Sequence, residues 1–359
     1  MRRTAFVLAI LGGLSSTAAA DGSIVERPLG STDAPWGYLE YLPPGYDASA
    51  ANARFPVVVF LSGLGELGNG TTDLPVIANH GPLKLIQNGS TYFADQGAIV
   101  IGPQAPDQWM FAEQQIAMRE FFDYLAATYK IDPARVYLTG LSSGGGGVYQ
   151  FLGEGDVDHV VTAAIPICGN QDAYPSMVAY AAAGGTPMWS FQSWGDATNP
   201  RARPIGWTTG IARIREANDA LDVMVGYPHT GDTSTPAATT QTAVLDGGAF
   251  TWSEGRHAGG DSSLRLTLYP GSSHDAWTET YADTAVWDWL LAHGAPTVAP
   301  GDPDANPGAG RDAMGDAPAD DIGGGCCSAD GADRRPTAVF GLGLVALALR
   351  RRRRGSRGV

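Results

Sequence analysis

The sequence predicts an α/β fold built on one mostly parallel sheet covered by helices on both faces. Three observations predict it. Continuous apolar, β-branched runs such as FPVVVFLSG (55–63) and AIVIGPQ (98–104) read as strands buried on both faces. These runs alternate with stretches at helical spacing. In VYLTGLSSGGGGVYQ (136–150) a strand-like run passes directly into a helix-like one through two serines and four glycines.

The elements follow in chain order. After 55–63 and 98–104, FAEQQIAMREFFDYLAATY (111–129) is a helix on which Ile116, Phe121, Leu125 and Tyr129 can share a face. ARVYLTG (134–140) is a strand, and GGVYQFLGE begins the next helix. VTAAIPICG, PMWSFQSWG and LRLTLYPG are three further strands. TETYADTAVWDWLLAHG (278–294) is a closing helix, with Gly294 just past its end. Residues 225–262 are rich in Gly, Thr, Ser and Ala and read as a surface insertion beside the mouth of the site.

The two ends of the chain are of another kind. Met-Arg-Arg-Thr, the apolar AFVLAILGGL and SSTAAA before Asp21 form a three-part secretory signal over 1–20, with cleavage expected after Ala20. The body, 21–294, is followed by a Pro-, Gly-, Ala- and Asp-rich linker, 295–325. Within the linker, Asp302, Asp304 and Asn306 are spaced like calcium ligands, but Pro307 and Ala313 stand where such a loop needs Gly and Glu. The tail, 326–359, holds Cys326 and Cys327, an apolar run over 336–349 too short for a comfortable bilayer span, and Arg350–Arg354. In that order these parts resemble the myxobacterial C-terminal sorting signal. The resemblance implies handling by envelope sorting and processing machinery, and a cell-surface or extracellular destination.

Charge excludes one class of partner. The net charge of the 359 residues is −14. Without 1–20 (Arg2, Arg3) and 328–359 (eight arginines against Asp330 and Asp333), residues 21–327 carry −22. Nucleic acid needs clustered Lys and Arg, so it is not an expected partner. Cys168 is the sole body cysteine; it has no disulfide partner outside the tail and reads as a small buried hydrophobe.

The chemistry-bearing pattern is G-x-S-x-G at Gly140-Leu141-Ser142-Ser143-Gly144. Small neighbours at a strand-to-helix turn let Ser142 occupy a strained position with its hydroxyl exposed. A serine hydroxyl needs a base, and the base needs an orienting carboxylate. In the chain order Ser, acid, His, the candidates are Asp196, just past PMWSFQSWG, and His274, in the loop before the closing helix. Each follows the C-terminal end of a strand, the edge where open parallel sheets carry their sites. Of the other histidines, His80 precedes the serine, His159 lies near a helix, His229 and His257 lie in the insertion, and His293 ends a helix. For a developing oxyanion, the amides of Ser143 and of Leu64 (or Gly63) in LSGLGELGNG are the candidate donors. Trp109, Trp194 and Trp277 adjoin these loops and are candidates for an aromatic rim that binds substrate.

With these residues in place, the chain resembles the α/β-hydrolases, in particular the secreted esterase group of feruloyl esterases, polyhydroxybutyrate-depolymerase-like proteins and phospholipase/carboxylesterase-like proteins. The matching pieces are YLPPGYD, PVVVFLSGLGELG, HGPLKLIQNG, IVIGPQAP, DPARVYLTGLSSGGGG, PICG, the Asp196 loop and YPGSSHDAW. They span about 39–281. The resemblance implies hydrolysis of an ester, aromatic or polymeric, by a Ser-His-Asp triad with neither metal nor organic cofactor. A serine peptidase on the same fold and a catalytically silent surface-binding protein are the rival expectations. The chain departs from the group at Ser62-Gly63 and Gln192-Ser193, where His-Gly is usual.

Overall fold

The structure is a computed structural model that describes residues 22–156, 159–169, 185–199, 227–228, 230, 236–246, 249–260 and 262–294. The signal segment, the linker, the tail and His229 lie outside the described residues. Among these described residues ten strands form one sheet: β1 (Ile24–Arg27), β2 (Tyr38–Tyr41), β3 (Phe55–Leu61), β4 (Ile99–Pro103), β5 (Ile131–Leu141), β6 (Ala163–Ile167), β7 (Met188–Ser193), β8 (Gln241–Asp246), β9 (Ala249–Glu254) and β10 (Leu264–Tyr269). Their spatial order is β1-β2-β4-β3-β5-β6-β7-β10-β8-β9. The run from β4 to β10 is parallel, and antiparallel strands close both ends.

Period-two alternation along β3 splits the core in two. Val57, Val59 and Leu61 face one side, where Met118, Phe121, Phe122 and Leu125 of helix α3 (Ala112–Thr128) pack on them with Trp36 and Trp109. Val58 and Phe60 face the other side, under Leu83 of α1 (Gly81–Gln87), Phe93 of α2 (Tyr92–Asp95), Tyr281 of α5 (Trp277–Tyr281) and Trp287 and Leu290 of α6 (Thr284–Ala292). Each fully buried Val or Phe contributes about 1.5–3 kcal/mol relative to exposure, so both helical layers are held by β3 and its neighbours.

Three elements differ from the sequence expectation. The buried face of α3 runs through Met118, Phe121, Phe122 and Leu125, whereas Ile116 is exposed, one turn-face away from the sheet. The closing helix is two helices: the Asp283 side chain accepts the Ala285 amide as the N-cap of α6 and breaks the run. The expected surface insertion instead supplies two strands. β8 and β9 pair with each other, and β8 pairs with β10, so the segment extends the sheet. Beneath it Trp194, Tyr227, Ala243, Leu266 and Leu268 form a third apolar cluster.

Strand order fixes where the loops meet. β3 and β5 are parallel neighbours with Leu61 opposite Gly140, so the loop after β3 and the turn after β5 leave the same rim side by side. β7 and β10 are parallel neighbours with Ser193 opposite Tyr269, so the loops bearing Asp196 and His274 leave together one strand further on. The strand order reverses across β4-β3-β5, the place where such sheets open a crevice.

Candidate active site

Ser142 is the N-cap of helix α4 (Ser143–Gln150) and sits at φ +52°, ψ −116°. A side-chain-bearing residue rarely adopts such a backbone, at a cost of about 1–3 kcal/mol. Two bonds hold it there: the Ser142 amide donates to Ile167 O at 2.9 Å, and Ser142 O accepts the Gly146 amide at 3.0 Å. The glycine run has a steric cause. A Cβ on Gly144 would lie 2.0 Å from Leu61 O, and one on Gly147 would lie 2.4 Å from Trp109 Cβ. The helix therefore starts pressed against the end of β3, with its positive end at the Ser142 hydroxyl.

His274 Nε2 lies 2.9 Å from Ser142 Oγ, and His274 Nδ1 lies 2.8 Å from Asp196 Oδ2. Backbone bonds from Trp194 N to Tyr269 O (2.7 Å) and from Gly195 N to Gly271 O (3.0 Å) zip the two loops together, which brings residues 78 positions apart into contact. The Asp196 carboxylate is fully buried and has four donors. Oδ1 accepts the amides of Thr198 (2.9 Å) and Asn199 (3.0 Å), while Oδ2 accepts from His274 and from Gln192 Nε2 at 2.8 Å. Burial pushes the carboxyl up; the His274 hydrogen bond, the Asn199 and Thr198 amides and the His274 charge outweigh it, so Asp196 is held below its ordinary value. A depressed carboxyl contributes stability above its unfolded value and loses it as pH falls through the folded one.

Gln192 was visible in the sequence only as a departure from His-Gly. Its amide bridges Asp196 and Asn199 O (2.6 Å), and the Asn199 side chain in turn donates to Cys168 O at 2.7 Å. The acid loop is thus tied to the end of β6. The Cys168 thiol is fully buried, which pushes its pKa far up and leaves it unionised.

The loop after β3 turns at Gly63 into a single helical turn, Leu64–Glu66. A Cβ on Gly63 would be 3.7 Å from Ser142 Cβ, so this loop adjoins the serine. No backbone acceptor among the described residues takes the Leu64 or Ser143 amide. The Leu64 side chain is 59% exposed and forms part of the rim, whereas Ser143 is buried. Ser62 is fully buried and acts through its backbone: Ser62 O accepts Trp109 Nε1 at 2.9 Å.

That bond corrects the expectation for Trp109. It is fully buried, edge-on to Trp36, and props the loop from beneath rather than lining a rim. Trp194 is also withdrawn, stacked on Tyr227 with centroids 4.4 Å apart. Trp277 alone of the three stands at the site, its ring 5.3 Å from that of His274 and nearly perpendicular to it. His80, set aside on chain order, lies beyond Trp277 and accepts its indole N–H at Nδ1 (3.2 Å). The described residues contain no cluster of potential metal ligands.

No family model matches the chain, and no curated protein matches it. Solved structures do. A thermostable esterase is 22% identical with a TM-score of 0.51, over 76% of this chain and 62% of that one. An acetyl xylan esterase from Aspergillus awamori is 16% identical with a TM-score of 0.44, over 75% and 100%. A feruloyl esterase module from Clostridium thermocellum, in complex with sinapinate, is 13% identical with a TM-score of 0.46, over 76% and 88%. The chain thus spans less than two thirds of the length of the first of these. The first likeness and the sheet order together show an α/β-hydrolase fold.

Proposed function

We propose that the chain is a serine carboxylic-ester hydrolase that works through an acyl-enzyme on Ser142. The observation that carries this reading is the unbroken hydrogen-bonded line Ser142 Oγ–His274–Asp196, at 2.9 and 2.8 Å, set at a strained turn. His274 Nδ1–H donates to Asp196, which leaves Nε2 as the acceptor facing the hydroxyl. His274 takes the Ser142 proton as Oγ attacks the ester carbonyl, and Asp196 stabilises the imidazolium. The Leu64 and Ser143 amides receive the oxyanion. The alcohol leaves with the proton from His274, and water, activated by the same nitrogen, releases the acid. The chain's own residues supply every group in this cycle. Leu64 and Trp277 give the mouth an apolar side suited to an aromatic or polymeric acyl part. The N-terminal signal pattern and the Cys-apolar-Arg tail support an exported enzyme, at the cell surface or outside the cell.

Parallel assays test the reading. Wild type should hydrolyse p-nitrophenyl esters and leave peptide p-nitroanilides untouched, and Ser142→Ala should hydrolyse neither. Turnover of the anilides would make the chain a peptidase. Turnover of neither by wild type would make it a binding protein.

A further inference from the structure

His80 lies outside the Ser-His-Asp line, yet its two ring nitrogens face two different catalytic loops. An indole N–H can only donate, so the 3.2 Å contact from Trp277 Nε1 makes His80 Nδ1 the acceptor. In the neutral ring the proton then sits on Nε2, which points at Glu66 Oε1 from 3.5 Å. Glu66 ends the helical turn that begins at Leu64, and its side chain is about nine-tenths buried. Its other oxygen, Oε2, lies 3.0 Å from the point a Gly63 Cβ would take, and Ser142 Cβ lies 3.7 Å from that same point. Trp277 opens helix α5 three residues after His274, and the two rings pack edge to face. His80 itself is fixed by the fold, as the residue that leads into α1.

We infer that His80 is a positioning residue: it ties the loop that offers the Leu64 amide, through Glu66, to the loop that presents the base, through Trp277. This role rests on the hydrolase reading above. Two physical needs meet in it. The His274 ring is pinned at Nδ1 by Asp196, and Trp277 is the aromatic neighbour packed against it edge to face, in position to hold its tilt toward Ser142. A carboxylate beside the oxyanion loop opposes the charge that loop must stabilise, and the His80 Nε2–H faces Glu66 Oε1 across 3.5 Å and offsets part of that charge. Misplacement of reacting groups by about 1 Å can cost about 100-fold in rate, so a contact one residue removed from the base has a large effect in reach.

The test is steady-state kinetics, on the best p-nitrophenyl ester, of wild type, His80→Ala, His80→Asn, Trp277→Phe and the His80→Ala/Trp277→Phe double variant, with folding checked by thermal melting. His80→Ala should lower kcat by about 10–100-fold with KM held within about threefold. Trp277→Phe keeps an aromatic ring but removes the indole N–H, and should give a similar loss. The double variant should be no slower than the slower single variant, because both changes break one bond. His80→Asn presents its amide oxygen where Nδ1 stands but does not reach Glu66, and should recover only part of kcat. A His80→Ala kcat within twofold of wild type, a loss confined to KM, or multiplicative losses in the double variant would overturn the role while Ser142-dependent turnover stands. Absence of that turnover in wild type would overturn the hydrolase reading, and this role with it.

Discussion

Asp196→Asn should lower kcat on esters by about 10⁴-fold and leave a folded protein. The reason lies in which way the amide must face. Oδ1 accepts two backbone amides, from Thr198 and Asn199, and an NH₂ group cannot sit there. The new NH₂ therefore takes the place of Oδ2 and donates to His274 Nδ1. The imidazole proton moves to Nε2, which faces Ser142 Oγ at 2.9 Å and can no longer accept from it. Gln192 Nε2 also meets a donor, which forces its amide to turn and costs the bond to Asn199 O. The same variant should flatten the pH dependence of stability on the acid side. In wild type, Asp196 is held below its ordinary value, so the stability it contributes is present above the unfolded carboxyl value and drains away as pH falls through the folded one. Urea melts of the two proteins at stepped acid pH read this directly. Equal acid-side slopes would contradict the shift.

Gly144→Ala should destabilise the protein severely, by about 4 kcal/mol or more. The added Cβ would stand 2.0 Å from Leu61 O and 2.5 Å from Leu61 C, both backbone atoms of a strand buried on two faces. Neither the strand nor the helix can retreat without opening the contact on which the Ser142 turn depends. Gly65→Ala is the matched control. It lies in the neighbouring loop with nothing within 4 Å of the added atom, and should change stability by less than about 0.5 kcal/mol. Denaturant melts of both proteins give the comparison; equal stabilities would show that the tight approach at Gly144 can relax.

Different parts of this molecule were legible in the sequence for different reasons. The parallel strands stand out because burial on both faces leaves unbroken apolar runs, as in residues 55–61. Ser142, Asp196 and His274 stand out because each follows such a run at the rim where loops collect. The β8–β9 pair did not, because its Thr-, Ala- and Ser-rich composition mutes the alternation. A signal was there: Gly247-Gly248 separates two runs of six residues, the spacing of a two-residue hairpin. Trp109 and Trp277 could not be told apart, since residue type does not say which tryptophan meets a buried carbonyl and which meets a histidine. Gln192 carries no motif, and its contact with Asp196 arises from the bend after β7. His80 carries no such signal, because the order Ser, acid, His looks only downstream of the serine, whereas the fold sets His80 beside Trp277.

The most direct measurement is peptide mass mapping after exposure to a fluorophosphonate. A hydroxyl activated by His274 should take up one phosphonyl group on the peptide containing Ser142 and on no other, and the adduct should be absent from Ser142→Ala. Wild type that stays unmodified, or that is modified at a different residue, would contradict the assignment of Ser142 as the nucleophile.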